Sequence, residues 1–310
     1  MPEPTASVQS VLWGLVGDAA SAFEVAGVPS PRFDAEELMA WATGTRRAAL
    51  RTVDRLDHDA VSRFRVAARR REGREPLQHI TGTAAFRYVE LAVGPGVFVP
   101  RPETEVVAGR AIELAAAVVA QGRAPLVVDL CTGSGAIAVA VADEVPTAAV
   151  HAVELGESAL VWARRNVEDT AVVLHAGDAT TALTELDGTV DVVVSNPPYI
   201  PADGLIRDPE VLVHDPGLAL WGSGADGLDV VRAVALRAQA LLLPGGWFVV
   251  EHADVQGAAV LASLHEQGGW TDLADHVDLS GRDRFTVARK TTADESDQPD
   301  QQEQGSTGAR

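Results

Sequence analysis

The chain has 310 residues, of which 46% are hydrophobic and 22% are charged, and its formal net charge is −19 at pH 7. This length suits one large α/β domain with a smaller partner, and the composition is that of an ordinary globular protein. So acidic a chain lacks the broad positive field needed for sequence-independent binding to a phosphate backbone. Its single cysteine, Cys131, excludes an intramolecular disulfide and a cysteine-based metal cage.

Residues 1–76 are predicted to form a small helical bundle. Apolar residues recur at helical spacing over residues 8–16, and no strand pattern interrupts the segment. Further helices are expected at Phe33–Thr43, Ala48–Leu50 and Asp59–Arg71. The arginines between Arg63 and Arg74 are predicted to form the solvated face of a helix. The first residues lack a signal-peptide pattern and no apolar run is long enough to cross a membrane, which indicates a cytoplasmic protein.

The pattern changes at residue 77. Residues 77–99 show alternation with Gly and Pro punctuation, which predicts a β-hairpin linker. Residues 100–290 then alternate strand-like and helix-like segments, as in a doubly wound, mostly parallel α/β sheet, and end in an antiparallel hairpin. Strands are expected at Leu126–Cys131, Ala149–Leu155, Val172–His175, Val190–Ser195, Gly246–Glu251, Ala274–Leu279 and Arg284–Ala288. Residues 291–310 offer no large apolar side chain and are predicted to be a disordered acidic tail.

A glycine-bearing turn follows the first of these strands. Gly133 and Gly135 allow the backbone to approach a ligand closely. Asp129 would repel a pyrophosphate but suits the cationic amino-acid end of S-adenosylmethionine. Glu154 ends the second strand, where it can accept both ribose hydroxyls, and Asp178 follows the third, placed to accept from the adenine amine. The sequence therefore predicts a crevice for S-adenosylmethionine.

The fourth strand ends in Asn196-Pro197-Pro198-Tyr199. An amide or aryl-amine nitrogen is a poor nucleophile because its lone pair is delocalised. The Asn196 side-chain oxygen and the Pro197 carbonyl can each accept one N–H and so direct that lone pair at a methyl donor, while Tyr199 can stack on the planar acceptor. No strong general base is required. The loop predicts methyl transfer to such a nitrogen.

These motifs together resemble the release factor glutamine methyltransferases, within the class I S-adenosylmethionine-dependent methyltransferases. The resemblance covers the chain apart from its tail and is carried by EPLQHITGTAAF (75–86), VFVPRPETE (97–105), DLCTGSGAIA (129–138), NPPYIP (196–201), DGLDVVR (226–232) and DLSGRDRF (278–285). It implies a Rossmann-like domain with a mostly parallel seven-stranded sheet, an N-terminal helical bundle that helps to recognise the substrate, and a hairpin between them. It also implies methylation of N5 of the glutamine in the Gly-Gly-Gln loop of bacterial class 1 peptide chain release factors.

The resemblance implies roles for individual residues as well. The cofactor would be held by Glu154, by Asn196 and by the loop residues Cys131, Thr132, Gly133, Ser134 and Gly135. Asn196, Pro197, Pro198 and Tyr199 would hold the glutamine, and Phe98 and Arg101 would border the site of transfer. Cys131 stands where the family has a glycine. Ala179 stands where an aromatic residue is common, so adenine must stack elsewhere or more weakly.

Alternatives remain open on the residues alone. An adenine-N6 methyltransferase would also use an Asn-Pro-Pro-Tyr loop, but we expect it to carry a basic face or a target-recognition domain. A scaffold without catalysis would need neither the loop glycines nor Glu154. A dehydrogenase is disfavoured by Asp129 and by the two-glycine loop. No histidine pair has zinc-binding spacing, so no metal is expected. We further expect a monomer that binds release factors but neither membranes nor free nucleic acid.

Overall fold

The computed structural model describes residues 7–206 and 208–292. Over this part of the chain the helices are α1 (Val8–Val25), α2 (Pro31–Thr43), α3 (His58–Glu72), α4 (Leu77–Thr81), α5 (Thr104–Ala120), α6 (Ala136–Glu144), α7 (Glu157–Val167), α8 (Pro209–His214), α9 (Gly217–Leu220), α10 (Asp229–Leu241) and α11 (Gly257–Gln267). The strands are β1 (Thr83–Phe86), β2 (Val89–Ala92), β3 (Leu126–Leu130), β4 (Ala149–Glu154), β5 (Val173–Ala176), β6 (Val190–Ser195), β7 (Leu242–Glu251), β8 (Trp270–Val277) and β9 (Asp283–Lys290). Most of the predicted tail lies outside the described residues.

The chain divides into two compact units. The first comprises residues up to Ala84 together with Val93–Val99 and Leu205–Asp215. The second comprises Ala85–Ala92, Pro100–Gly204 and the chain from Pro216 onward. The domain boundaries expected at residues 76, 99 and 290 stay a prediction.

The first unit is built around α1, α2 and α3. The Ser7 hydroxyl accepts a hydrogen bond from the Ser10 amide at 3.1 Å, and Asp57 accepts one from Ala60 at 2.7 Å, so α1 and α3 each begin at a side chain that satisfies a free amide. The buried faces of the helices interlock through large apolar side chains, which include Leu12, Val16, Phe23, Leu38, Met39 and Phe64. This unit is the helical bundle that the sequence predicts.

One expectation about this bundle is wrong for a single residue, because Arg63, Arg65, Arg69 and Arg70 are exposed as predicted but Arg71 is not. The arginines of α3 were predicted to lie on a solvated face, but Arg71 is only 3% exposed. Its Nε atom lies 2.7 Å from Asp34 Oδ2, and its Nη1 atom lies 2.8 Å from Glu210 Oε1. Two carboxylates from other elements therefore draw this guanidinium into the interior, where its charge is paired.

The segment 77–99 also differs from its prediction. Leu77–Thr81 forms the short helix α4, which begins after Pro76 and ends at Gly82 in the left-handed conformation. The two-stranded hairpin is confined to β1 and β2. Helices α5 and α11 also lie outside the predicted elements, although both have apolar residues at helical spacing.

The second unit contains a seven-stranded sheet in the order β5-β4-β3-β6-β7-β9-β8. Strands β3 to β7 pair in parallel, and β9 pairs antiparallel with both β7 and β8. The predicted α/β class with a mostly parallel sheet is thereby confirmed. Every residue of β6 is buried, as expected of a central strand covered on both faces.

Candidate active site

The carboxyl ends of the neighbouring strands β3, β4, β5 and β6 meet at one edge of the sheet. Leu130 of β3 is aligned with Val153 of β4 and with Ser195 of β6, and Glu154 is aligned with Ala176 of β5. The segments that follow these strands carry the predicted cofactor and acceptor residues of the second unit. In open α/β sheets this edge is where ligands bind.

The glycine loop after β3 is anchored on the end of β4. The Thr132 amide donates to the Val153 carbonyl at 2.9 Å, and the Gly133 amide donates to Glu154 Oε2 at 2.8 Å. The other carboxylate oxygen of Glu154, Oε1, accepts from the Gly156 amide at 2.6 Å. Since each carboxylate oxygen has a second lone pair, Glu154 is held rigidly and can still accept further hydrogen bonds.

The loop itself is tightly curved. Cys131 has a φ of 62° and Gly133 a φ of 60°, so both lie in the left-handed region. A cysteine at this position has therefore not removed the turn that a glycine would adopt there. A Cβ atom added at Gly133 would meet no heavy atom within 4 Å, which shows open space beside the backbone.

Asp129 is fully buried beneath this loop. Its Oδ2 atom accepts from the Thr132 hydroxyl and from the Ala138 amide of α6. Its Oδ1 atom has no hydrogen-bond partner among the described residues. Burial raises the pKa of Asp129 to about 7. A cationic donor reaching Oδ1 would satisfy this atom and favour the carboxylate.

Asp178 and Ala179 follow β5 and differ in exposure. Asp178 is exposed, and its Oδ1 atom accepts from the amide and the hydroxyl of Thr180 at 2.8 and 2.7 Å. Ala179 is buried in the core of the second unit. Asp178 therefore shapes its own turn, and its predicted contact with adenine stays a prediction.

The acceptor loop continues directly from β6. The Ser195 hydroxyl donates to the Leu130 carbonyl at 2.7 Å, which ties the end of β6 to β3. Pro197 is buried, and Pro198 is partly buried. The Asn196 Nδ2 atom donates to the Thr104 hydroxyl oxygen at 3.3 Å, so the side-chain oxygen of Asn196 lies at the opposite end of its amide group. The Tyr199 hydroxyl donates to Glu251 Oε1 at 3.2 Å.

The loop is buttressed by a second segment. The Gly222 amide donates to the Ile200 carbonyl at 2.9 Å. The Gln256 side chain donates to the carbonyls of Tyr199 and Asp226 at 2.8 and 2.9 Å. A rigid frame of backbone groups therefore holds the loop from both sides.

Sequence comparison places this site in a family. The chain is 56% identical over 282 residues to a release factor glutamine methyltransferase of Streptomyces coelicolor, covering 91% of this chain and 99% of that protein. The chain belongs to the release factor glutamine methyltransferase family. A relative of the same name from Mycolicibacterium smegmatis is 46% identical and covers 88% of this chain and 95% of its own length. Residues 15–82 match a family described as the PrmC N-terminal domain, and residues 95–207 match the methyltransferase small domain.

Membership confirms two predictions, the family and the enzyme class, which is protein-glutamine methyltransferase. The chain is also 48% identical over 210 residues to a 4-amino-L-phenylalanine/4-methylamino-L-phenylalanine methyltransferase of Streptomyces pristinaespiralis, covering 67% of this chain and 72% of that protein. Among solved structures, a methyltransferase from Pyrococcus furiosus is 18% identical with a TM-score of 0.48, covering 65% of this chain and 89% of that one.

Phe98 and Arg101, which the family resemblance implicates, belong to different units. Phe98 lies in the first unit and Arg101 in the second, and both are half-buried. The Arg101 carbonyl accepts a hydrogen bond from the Thr104 amide at 3.1 Å. Thr104 in turn contacts Asn196 of the acceptor loop. Their place beside the site of methyl transfer stays a prediction.

Sequence reasoning missed two residues that contact the acceptor loop in this family member. Thr104 was named only as part of the VFVPRPETE motif, and Glu251 only as the last residue of a predicted strand. Glu251 is only 2% exposed. An acidic residue is unusual at the end of a buried strand, and this feature of the sequence could have identified Glu251. Among residues 7–206 and 208–292, no helix has the length and apolar character needed to span a bilayer. No group of three or more histidine, cysteine or acidic side chains in these ranges could hold a metal.

Proposed function

We propose that this enzyme transfers a methyl group from S-adenosylmethionine to the N5 side-chain nitrogen of the glutamine in the Gly-Gly-Gln motif of class 1 peptide chain release factors. The name shared by its relatives supports the release factor as substrate. The reaction belongs to translation termination in the cytoplasm, and we propose that the enzyme acts as a monomer.

The observation that carries the proposal is the orientation of the Asn196 amide. Because its Nδ2 atom donates to Thr104, its oxygen is the end left to accept from a substrate. A primary amide presents two N–H groups, and Asn196 with the Pro197 carbonyl supplies two acceptors. The acceptor pair therefore suits the side chain of a glutamine.

The residues at the neighbouring strand ends fit S-adenosylmethionine. The buried Oδ1 atom of Asp129 lacks a donor, and the ammonium group of the cofactor could supply one. The carboxylate of Glu154 has lone pairs left for the ribose hydroxyls, and the open space beside Gly133 admits a ligand against the backbone. Asp178 and Ala179 would border the adenine, while Phe98 and Arg101 would border the methyl group.

The bound cofactor supplies an electrophilic methyl group on a sulfonium. Asn196 and Pro197 accept the two N–H groups of the glutamine amide and hold its nitrogen lone pair toward that methyl. Pro198 stiffens the loop, and Tyr199, anchored on Glu251, offers its ring to the planar amide. Bound in this crevice, the cofactor would supply the methyl group, and the amide nitrogen that receives it would release one proton to water. Positioning and aligned dipoles do this work without a strong base.

The proposal is tested by peptide mass spectrometry of a class 1 release factor incubated with the enzyme and S-adenosylmethionine. We expect one added methyl group on the Gly-Gly-Gln peptide. At saturating S-adenosylmethionine, the Asn196→Ala variant should transfer at least about a hundredfold more slowly, as expected when one positioning group is lost.

Two other acceptors serve as competitors in the same assay. Duplex and single-stranded DNA test an adenine-N6 activity, and 4-amino-L-phenylalanine tests an aryl-amine activity like that named for the Streptomyces pristinaespiralis relative. Label in either competitor, with none on the release factor, would refute the glutamine assignment. The formal net charge of −19 disfavours the nucleic-acid outcome.

A further inference from the structure

A buried carboxyl lies behind the acceptor loop. Glu251 ends β7 and accepts from the Tyr199 hydroxyl at 3.2 Å. The hydroxyl of Thr104, the first residue of α5, lies close enough to the same carboxyl to lower its pKa, and the second carboxyl oxygen, Oε2, is buried without a hydrogen-bond partner among the described residues. Thr104 in turn contacts the Asn196 Nδ2 atom at 3.3 Å. Glu251 is therefore linked to both ends of the acceptor loop without being part of it.

While Glu251 is ionised, the hydrogen bonds from Asn196 through Thr104 to Glu251 can have only one donor-to-acceptor direction. A carboxylate accepts hydrogen bonds and donates none. Thr104 has a single hydroxyl proton, and donating it to Glu251 leaves only lone pairs to face Asn196. Asn196 must then present its NH₂ group to Thr104 and its oxygen to the other side.

The charge of Glu251 is supported by a third element. Arg284, in β9, is close enough to lower the pKa of the Glu251 carboxyl. Arg284 is held by Asp278, whose Oδ2 atom lies 3.2 Å from its Nη2 atom. Asp278 is fixed in turn by the amide and hydroxyl of Ser280, at 2.8 and 2.6 Å from its Oδ1 atom. The DLSGRDRF segment thus supplies a positive charge behind the site.

We propose that Glu251 and Thr104 are positioning residues that set the orientation of the Asn196 amide and thereby decide which end of it faces the substrate. This inference rests on the proposed function, in which the Asn196 oxygen accepts from the glutamine. Each acts through Asn196 in this proposal, and neither is assigned a contact with substrate or cofactor.

The series of hydrogen bonds from Asn196 through Thr104 to Glu251 forms a relay. Its donor-to-acceptor direction is lost when Glu251 is protonated or is replaced by glutamine. A protonated carboxyl or a glutamine carries both a donor and an acceptor. It can donate to Thr104, which then donates to the Asn196 oxygen and turns the NH₂ group outward. Two NH₂ groups would face each other across the site, and the glutamine would no longer be held for transfer.

The test compares isosteric changes at Thr104. Thr104→Val removes the hydroxyl and keeps the shape, whereas Thr104→Ser keeps the hydroxyl. We expect Thr104→Val to lower kcat by about 10- to 100-fold, as for a misplaced reacting group, with a smaller change in KM for the release factor. Thr104→Ser should retain kcat within about threefold, because its hydroxyl rebuilds both hydrogen bonds.

The pH profile separates positioning from folding. Burial raises the pKa of Glu251 to about 7, so wild-type kcat should rise as the pH passes through that value. With S-adenosylmethionine saturating, so that protonation of Asp129 does not limit the rate, the acidic limb should be absent in Glu251→Gln and in Thr104→Val. A loss of folded protein would lower the amplitude at every pH without removing the limb.

A second measurement does not depend on methyl transfer. The side-chain ¹⁵N–¹H₂ resonances of Asn196, assigned by their disappearance in Asn196→Asp, should shift in Thr104→Val and stay in place in Thr104→Ser. Unshifted resonances, or an unchanged kcat and pH profile in Thr104→Val, would overturn the relay. A wild-type enzyme that leaves the release factor unmodified would instead overturn the proposed function, and the resonances would still decide the relay.

Discussion

The guanidinium of Arg71 and the carboxylate of Glu210 form an ion pair of 2.8 Å, although the two residues lie in α3 and α8, far apart in the sequence. Asp34 of α2 approaches the same guanidinium from another element, at 2.7 Å. Burial of Asp34 raises its pKa, and Arg71 opposes that rise through its hydrogen bond and its charge. One buried cation thus holds three elements of the first unit together.

Replacing Arg71 by alanine should destabilise this unit strongly. The change leaves the buried Asp34 without its cation, whereas Glu210 keeps Arg74 at 2.8 Å, and breaking a buried ion pair costs about 3–5 kcal/mol. Urea denaturation of the full chain measures the loss. Arg69→Ala removes an exposed arginine from the same helix and should change the free energy of unfolding by less than about 0.5 kcal/mol. Equal effects of the two variants would contradict the role assigned to Arg71.

Replacing Glu154 by glutamine should weaken cofactor binding. Both carboxylate oxygens of Glu154 accept backbone N–H groups, and an amide would turn its NH₂ group toward one of them. We expect the Kd for S-adenosylmethionine, measured by calorimetry, to rise about 10- to 100-fold, or about 1.4–2.8 kcal/mol. Glu157→Gln, an exposed change at the start of α7, is the matched control and should leave the Kd unaltered. A Glu154→Gln enzyme with wild-type affinity would exclude this residue from the cofactor site.

Adding a methyl group at Gly222 should damage the acceptor loop. A Cβ atom there would collide with the Gly227 carbonyl oxygen and lie 2.6 Å from the Pro198 oxygen and 2.8 Å from the Tyr199 Cα atom. We expect Gly222→Ala to cost about 1–3 kcal/mol of stability from overpacking. Methyl transfer should fall about a hundredfold as the loop is displaced.

Gly14→Ala is the control for this change. A Cβ atom at Gly14, within α1, meets no heavy atom within 4 Å and should be neutral or slightly stabilising. Thermal unfolding and initial-rate assays of both variants measure the effects. A Gly222→Ala enzyme that transfers at the wild-type rate would show that the loop tolerates displacement.

Stability should fall as the pH rises from about 4.5 to about 7. Burial raises the pKa of Glu251 from 4.5 to about 7. Between these values the folded protein holds a proton that the unfolded chain has released, so stability is present at the lower pH and lost at the higher. The full loss is about 3 kcal/mol. The groups that face this carboxyl are Tyr199, Thr104, Arg284 and, at longer range, Glu103.

The measurement is urea denaturation of wild type and Glu251→Gln at pH 5 and pH 7.5. The variant should lose less stability than wild type over this interval. It should still lose some, because burial also raises the pKa of Asp129 to about 7. Parallel pH dependences in the two proteins would show that Glu251 titrates as an ordinary carboxyl. The expected result means that the charge which orients Asn196 is maintained at the expense of stability.

The sequence predicted the parts of the fold and site that depend on local pattern. The valine-rich run of β6 indicates a central strand, and the residues that follow it, Asn196 to Tyr199, form a recognisable motif. Parallel strands place their carboxyl ends at one edge, so Glu154 could be assigned to the same edge as the glycine loop before any coordinates were known.

The residues that sequence reasoning missed act across long separations. Thr104 meets Asn196, and Glu251 meets Tyr199, only because α5 and β7 pack beside β6, and no periodicity in the sequence indicates that packing. Gly222 looks like any loop glycine until its neighbours are known. Arg71 belongs to a run of arginines, and only its partners Asp34 and Glu210 distinguish it from the exposed members of that run.

The division of the chain into units has a consequence for how such enzymes can be recombined. The first unit is assembled from residues up to Ala84, from Val93–Val99 and from Leu205–Asp215. A single junction therefore cannot separate this unit from the rest of the chain for exchange with the corresponding unit of a relative. A chimera made at a single junction would pair Arg71 of one parent with residue 210 of the other. Three segments must be inherited together, and recombination within this family should succeed only where all three come from the same parent.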